Sequence, residues 1–505
     1  MSLSAEAGRG VAWTTAGKTV AQLVGVGVSL VLARLLTPED FGLLGMIVVL
    51  VGFLAVLADM GLTAAIVQRE DLQERHRSSV FWLMLGVGVV LAGGLALAAP
   101  AVATFYDEPR LTDLVRVFAI DFALSPLVAV QQAVLLRKMA FKSIALAETL
   151  GVVVGGAVAL TLALMGHGVW ALIAKTIATS AALLVTFWLA SDWRPRLSFD
   201  RKAIAELFRF SSNLLGHNVV GYWAHQTDDL LIGRSLGAAP LGLYTRAYST
   251  VMMPVHEVGG VLGRVMFPTL SKLQRDLPEM KRLYLRVVGA TALLTFPAMA
   301  LLFVIAEPLT LVLFGDQWLG IVSVLRIYAV VGAFQSVAGT VSWIYKACGR
   351  TDLMFRWGIV SSIVTVIAIV VGMRFGSIEA IAIAYGVALV FVLSYPHFAI
   401  PGRLIGVSPL DVARTVVGLA AAALLMGGVA YGLGKLTLSL PKGLDLALRI
   451  SSGGVVYLTC LKLLRVPVYL ELRGMARARL LAWAGADAEA SAGTDTDEPS
   501  KHQSK

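Results

Sequence analysis

Residues 33–46 read ARLLTPEDFGLLGM, and residues 233–246 read GRSLGAAPLGLYTR. Aligned without a gap, Arg34 falls on Arg234, Leu36 on Leu236, Gly42 on Gly242 and Leu43 on Leu243. Each copy closes one apolar run and opens the next. A second pair lies further along the chain. FYDEPRLTDLVRVFAI (105–120) matches FGDQWLGIVSVLRIYAV (314–330) once a single residue is inserted, which sets Asp107 on Asp316 and Arg116 on Arg326. Leucine and glycine are frequent in membrane helices, so one such match carries little weight. Two at nearly the same offset, both at loops on one side, mark an internal repeat.

Around these motifs the chain is 57% hydrophobic and 15% charged, with a mean hydropathy of +0.79. An ordinary soluble core does not have that composition. Apolar stretches of about 20 residues, each long enough to cross a hydrocarbon layer of about 30 Å, recur from end to end. Fourteen are expected, from 13–36 to 445–465, and those at 114–136, 210–233 and 318–344 carry charges. No cleavable signal peptide is expected, because residues 1–12 lack an apolar core and a small-residue cleavage site. The expected fold class is an all-α polytopic membrane protein of about 14 transmembrane helices. Both motif pairs fall on the same side, so the repeat reads as two parallel six-helix bundles with pseudo-two-fold symmetry about the membrane normal. The bundles are residues 1–190 and 191–400, followed by transmembrane helices 13–14 (401–466) and a basic segment with a disordered tail (467–505). The tail, AGADAEASAGTDTDEPSKHQSK, is small, polar and unpatterned.

Loop charges give the orientation. Alternate loops, beginning after the second stretch, hold Arg69, Arg75 and Arg77, then Arg137, Lys138 and Lys142, then Arg194, Arg196, Arg201, Lys202 and Arg209, continuing to Arg403 and Arg414. The intervening loops are sparse, with Arg34, Arg110, Arg234, Arg246, Arg374, Lys435 and Lys442. The positive-inside rule places the first set and both termini in the cytoplasm. The net charge of +10 is then largely topological, and no nucleic-acid partner is expected. Cys348 and Cys460 stand alone, so neither a disulfide nor a metal site is expected.

Polar residues inside apolar stretches are costly and tend to face a cavity. Thr14, Lys18, Gln22, Gly25 and Ser29 follow one another at steps of three or four, which keeps them on one helical face. Asn213, His217, Gly221, His225 and Asp228 repeat that rhythm in the seventh stretch. Asp59, Asp121, Gln132, Glu148 and Lys175 lie in other stretches of the first bundle. Plainer roles stay open at this point: Lys18, Arg34 and Arg234 as snorkelling cations, Asp59 as a helix cap, and the histidines as hydrogen-bonders within a bundle.

ARLLTPEDFGL, DMGLTAAIVQR, QQAVLLRKMAFKSIALAE, DDLLIGRSLGAAPLGLY and GGVLGRVMFPTLSKLQ occur in this order. As a set they resemble the polysaccharide-transporter branch of the multidrug/oligosaccharidyl-lipid/polysaccharide exporter (MOP) superfamily. More narrowly, the chain resembles the Wzx-type flippases of the colanic-acid and teichuronic-acid exporter group, over most of residues 9–400. The resemblance implies a transporter rather than an enzyme, in the bacterial cytoplasmic (inner) membrane. It would move undecaprenyl-diphosphate-linked oligosaccharide repeat units outward by ion antiport and alternating access, for exopolysaccharide, O-antigen or capsule. Partners would be that polyprenyl-diphosphate oligosaccharide, membrane lipids and polysaccharide polymerase or export machinery. No cofactor is implied beyond a coupling proton or sodium ion. A diphosphate carries about two negative charges and needs a wet, cationic cavity. Lys18 and Arg34 are the leading phosphate partners, Arg234 and Arg116 follow, and Gln22, His217 and His225 line the cavity. Asp228 occupies the acidic position of the family's D-x-x-x-I-G motif and leads the coupling-ion candidates, ahead of Asp59, Asp121 and Glu148. Three alternatives remain: a drug or cation exporter of the same superfamily, with an acidic cavity; a peptidoglycan-precursor flippase, which differs in the sugar; and an O-antigen polymerase or ligase. The last usually carries a long outer loop, whereas no outer loop here exceeds about fifteen residues.

Overall fold

Inside a bilayer every backbone amide must find its partner within the protein, which helices accomplish locally. The computed structural model describes residues 3–69, 71–437, 439–464, 469, 470 and 474, with backbone alone at 3–16, 18, 207, 209–214, 217, 220, 224 and 225. Among the described residues the chain is helical, with no strand. In order the helices are α1 (Leu3–Leu35), α2 (Pro38–Asp59), α3 (Leu62–Gln68), α4 (Glu74–Tyr106), α5 (Leu111–Arg137), α6 (Phe141–Leu164), α7 (Val169–Ala190) and α8 (Arg201–Leu236). There follow α9 (Ala238–Lys272), α10 (Leu277–Leu313), α11 (Val322–Ala338), α12 (Val341–Ala347), α13 (Thr351–Met373), α14 (Ile378–Val387), α15 (Ser394–Ile405), α16 (Pro409–Leu436) and α17 (Lys442–Leu463). A 3₁₀ segment, Asp316–Ile321, precedes α11, and a π segment, Ala388–Leu393, joins α14 to α15.

Several boundaries differ from the expected ones. The second stretch is two helices, because the chain turns through positive φ at Met60 (48°) and Gly61 (71°). The Asp59 carboxylate holds that turn, accepting from Gly61 N at 3.1 Å and Thr63 Oγ1 at 2.6 Å. The eighth stretch, expected at 246–268, starts about two turns earlier, at Ala238. Pro240 lies in that helix's first turn, where a missing N–H is harmless. Ten helical rods among the described residues are long and apolar enough to cross a membrane. The long helices α1, α5, α8 and α9 fall outside that set; α1 and α8 carry the two polar stripes and α5 carries Asp121 and Gln132, whereas Asp59, Glu148 and Lys175 lie on helices within it. The tail from 475 onward lies outside the described residues, and with it the expected disorder.

Compactness groups the chain along lines other than the sequence repeat. One unit comprises Met1–Thr250, Glu307–Ile327 and Val360–Ala388; the other comprises Val251–Ala306, Tyr328–Ile359 and Leu389–Lys505. In the first unit, α6 approaches α1 and α7 through small residues, as membrane helices do. A Cβ at Gly156 would press on Val28, and one at Gly155 on Lys175 O at 2.8 Å. The segment between α7 and α8 is fastened to α4. Trp193 Nε1 donates to Glu74 at 2.8 Å, Trp82 Nε1 donates to Arg196 O at 2.8 Å, and the buried hydroxyls of Ser78 and Ser79 accept from Arg196 N and Asp200 N.

The second unit is built on Leu270, Tyr284, Val288, Trp343, Leu419, Met426 and Tyr457. Tyr457 donates to Leu293 O at 3.0 Å, tying α17 to α10. His397 accepts from Trp357 Nε1 at 3.0 Å on one ring nitrogen and faces Ala338 O at 3.1 Å with the other.

Candidate substrate-translocation site

The two repeated motifs meet each other. Thr37 and Asp40 form a capping box and Pro38 takes the first helical position, so α2 starts sharply at residue 38. Its counterpart α9 starts at residue 238. Four residues into each helix stands a glycine. A Cβ on Gly42 would collide with the Ala238 carbonyl oxygen, and one on Gly242 would collide with the Pro38 carbonyl oxygen. Residue 42 against 238 and residue 38 against 242 is a reciprocal contact, backbone on backbone, with the symmetry of the sequence repeat. The resemblance between the motifs is therefore a steric requirement at a helix crossing.

Beside this crossing, helix ends exchange partners. The last carbonyls of a helix have no acceptor role inside it and carry its negative dipole end. Arg34, at the end of α1, donates from Nε to Leu313 O at 3.3 Å and from Nη2 to Val312 O, closing α10. In return Gln317 Nε2 donates to Ala33 O and Leu36 O, both at 2.9 Å, and the buried Trp318 Nε1 donates to Ala33 O at 2.7 Å. Arg34 was expected to meet phosphate; its donors here serve two helix carbonyls.

A different cation lies one step further in. Arg246 of α9 donates from Nη1 to Ser29 Oγ at 2.9 Å and from Nη2 to Ser29 O at 3.4 Å. Its guanidinium carbon stands 4.6 Å from the ring centre of Phe314, 5.6 Å from Phe41 and 5.9 Å from Trp318. These rings offer cation–π attraction without a counter-charge. Arg246 Nε is buried and has no hydrogen-bond partner among the described residues. Lys175 of α7 is within electrostatic reach. Ser29 ends the polar face of α1, so that stripe and Arg246 come together, although the sequence counted Arg246 among outer loop charges.

A carboxylate cluster sits on α8. Tyr244 donates to Asp228 Oδ2 at 3.0 Å. Tyr106, Tyr222 and Tyr248 lie within electrostatic reach of Asp229. Tyr222 in turn donates to Val49 O at 2.6 Å and fits over Gly52 of α2. The remaining candidates are placed apart. Asp59 serves the α2–α3 turn, Asp121 buries an Oδ1 that has no hydrogen-bond partner among the described residues, and Glu148 faces Gln132 Nε2 at 3.5 Å. Arg116 is exposed beside Asp113 at 3.5 Å, Arg234 is exposed over the Phe105 ring at 5.7 Å, and Gln22 is exposed on α1. The side chains of Lys18, His217 and His225 lie outside the described residues. Sequence reasoning missed Arg246, Gln317 and Trp318; the signal for the last two was the second repeat motif, FGDQW against FYDEP.

A family model described as polysaccharide biosynthesis protein matches residues 31–323. The succinoglycan biosynthesis transport protein ExoT of Rhizobium meliloti (strain 1021) is 29% identical over 73% of this chain and 75% of its own length. The teichuronic acid biosynthesis protein TuaB of Bacillus subtilis (strain 168) is 27% identical over 80% of this chain and 85% of its own. Among solved structures, the lipid II flippase MurJ in an inward closed conformation superposes with a TM-score of 0.73 at 15% identity, covering 89% of this chain and 98% of that one. The all-helical fold is shared with that structure.

Proposed function

The chain belongs to the polysaccharide biosynthesis protein family, and we propose that within it the chain is a flippase for undecaprenyl-diphosphate-linked oligosaccharide repeat units. At the coarser level it is a multi-pass membrane transport protein of polysaccharide biosynthesis and not an enzyme; among the relatives it matches, ExoT is described as a transport protein. In the proposed mechanism the bundles 1–190 and 191–400 alternate access to the two leaflets, with both termini in the cytoplasm. Asp228, held by Tyr244, takes the coupling proton or sodium ion.

One observation carries the substrate class. Arg246 is a half-buried cation held by a single serine and three aromatic rings, with no carboxylate partner among the described residues. Desolvating a cation without a counter-charge is unfavourable, so stability alone does not account for it. A phosphate would supply the missing charge and accept from Nε, and arginine offers the matching fork.

The test is flipping of a fluorescent polyprenyl-diphosphate oligosaccharide between leaflets of proteoliposomes, with and without a pH gradient. Charge-assisted hydrogen bonds contribute about 1.5–3 kcal/mol each, so Arg246→Met slows flipping roughly ten- to hundred-fold, and Arg246→Lys recovers part of it. Because the methionine variant no longer buries an unpaired charge, its thermal stability stays at or above wild type. Wild-type flipping by Arg246→Met, or efflux of a small organic cation with no lipid movement, overturns the reading.

A further inference from the structure

We propose that the segment joining α7 to α8 carries a binding site for an anionic diacyl phospholipid. The segment, residues 191–200, reads SDWRPRLSFD. Its backbone is fastened to α4 at two points: Ser78 and Ser79 accept from the amides of Arg196 and Asp200, and Trp82 donates to the Arg196 carbonyl. Trp193 turns inward and is buried. With the backbone pinned at these points, Leu197 and Phe199 stay 92% and 55% exposed. Two large apolar side chains so exposed in an otherwise polar connection call for an apolar neighbour.

That neighbour is a groove. A cavity of about 400 Å³ runs along α4 beneath Phe199, lined by Trp82, Gly86, Val87, Val90 and Leu91. From residue 82 to 91 the helix rises about 14 Å, close to the roughly 15 Å hydrocarbon depth of a single leaflet. The groove therefore matches an acyl chain that enters from one leaflet and ends near the midplane. Trp82 stands at its mouth, where indoles favour the headgroup level.

Charge selects the headgroup. Arg196, Arg201 and Lys202 are exposed at this end, and none has an ion-pair partner among the described residues. The other charges facing the segment are committed. Arg75 pairs with Asp200, Glu206 takes Arg69 and His76, and Arg194 donates to the carbonyls of Trp188 and Trp193. Asp192, also in the segment, pairs with Lys138 at 3.5 Å. Three uncommitted cations above a leaflet-deep apolar groove complement a phosphodiester with a net negative charge. The site is separate from the Arg246 site, and its occupant ties the connection between α7 and α8 to the composition of the adjacent leaflet.

The full-length protein, purified in detergent, is titrated with phosphatidylglycerol or with phosphatidylcholine of the same acyl chains, and retained lipid is counted by native mass spectrometry. Each cation near an anionic headgroup is worth about a factor of 5 in affinity. The Arg196→Ala/Arg201→Ala/Lys202→Ala variant should thus lose roughly 100-fold for phosphatidylglycerol while its weaker phosphatidylcholine binding is unchanged. Leu197→Ser/Phe199→Ser should weaken both lipids, and the exposed control pair Arg403→Ala/Arg414→Ala neither. All substituted side chains are exposed, so folding is preserved. Equal retention of the two lipids by wild type, an unchanged affinity in the triple variant, or an equal loss in the control overturns the proposal. So does displacement of phosphatidylglycerol by equimolar undecaprenyl phosphate, which would make the groove part of the substrate path.

Discussion

Alanine at Gly42 puts the crossing of α2 and α9 to the test. The new methyl has one direction to take, and the carbonyl oxygen of Ala238 occupies it; Gly242 faces the Pro38 carbonyl in the same way. A backbone atom cannot swing aside as a side chain can, so the helices must separate. Overpacking of this kind costs about 1–3 kcal/mol, and a rigid obstacle puts Gly42→Ala in the upper part of that range. Better helix propensity offsets about 1 kcal/mol, leaving a net loss of roughly 1–2 kcal/mol. At Gly94 of α4 a Cβ meets nothing within 4 Å, so the same exchange gains the propensity unopposed. Thermal unfolding midpoints, measured by intrinsic fluorescence in one detergent, should therefore place Gly94→Ala at or above wild type and both Gly42→Ala and Gly242→Ala below it. The double variant discriminates more sharply. Once the first methyl has parted the helices, the second finds the space already open, so the pair costs about 1 kcal/mol less than the sum. A Gly42→Ala protein that melts with wild type, or strict additivity in the double variant, refutes a backbone-to-backbone crossing.

Asp445 and Arg449 pair at 2.8 Å and are only 3% and 9% exposed. Arg449→Met alone should cost about 3–5 kcal/mol by stranding the carboxylate, whereas Asp445→Leu/Arg449→Met should recover most of it; the two midpoints decide. Asp200 caps α8, and the Lys202 amide, then Ala203 and Arg75, hold its carboxyl below the usual carboxylate range. A pKa lowered on folding means the cap's contribution is complete above the unfolded value of about 3.9 and is lost as pH falls through the folded one. Hydrogen exchange in the first turn of α8, corrected for intrinsic rate, should be flat from about pH 8 to 5 and faster throughout in Asp200→Ala. Protection that already fades between about pH 7 and 5 in wild type would exclude Asp200 as the cap.

The helical membrane fold was legible because it is written in composition and length, which are properties of one stretch at a time. The repeat was legible for a related reason: a close crossing demands glycine, and Gly42 and Gly242 stand the same four residues after Pro38 and Ala238. Helix starts were less so. The chain enters α9 at Ala238, with Pro240 tolerated in its first turn, so Arg246, which the sequence counted among loop charges, stands inside a helix. Asp59 shows the limit from the other side, since its polar neighbours Gly61 and Thr63 are local and its capping role was among the readings the sequence held open.

Which hydrogen bonds each cation already makes was not legible at all, and the reason is physical. Arg34 and Arg246 are the same residue type, one near the start of the first motif copy and the other at the end of the second. Arg34 gives Nε and Nη2 to the carbonyls of Leu313 and Val312, nearly three hundred residues away. Arg246 has one hydroxyl, one carbonyl and a wall of rings. The difference lies in what the end of α10 and the Gln317–Trp318 turn bring to each, and neither segment announces that in its own sequence. Hydrogen-bond satisfaction is a property of the assembled site: a charge that reads as a ligand contact along the chain becomes a helix cap when unsatisfied carbonyls arrive first.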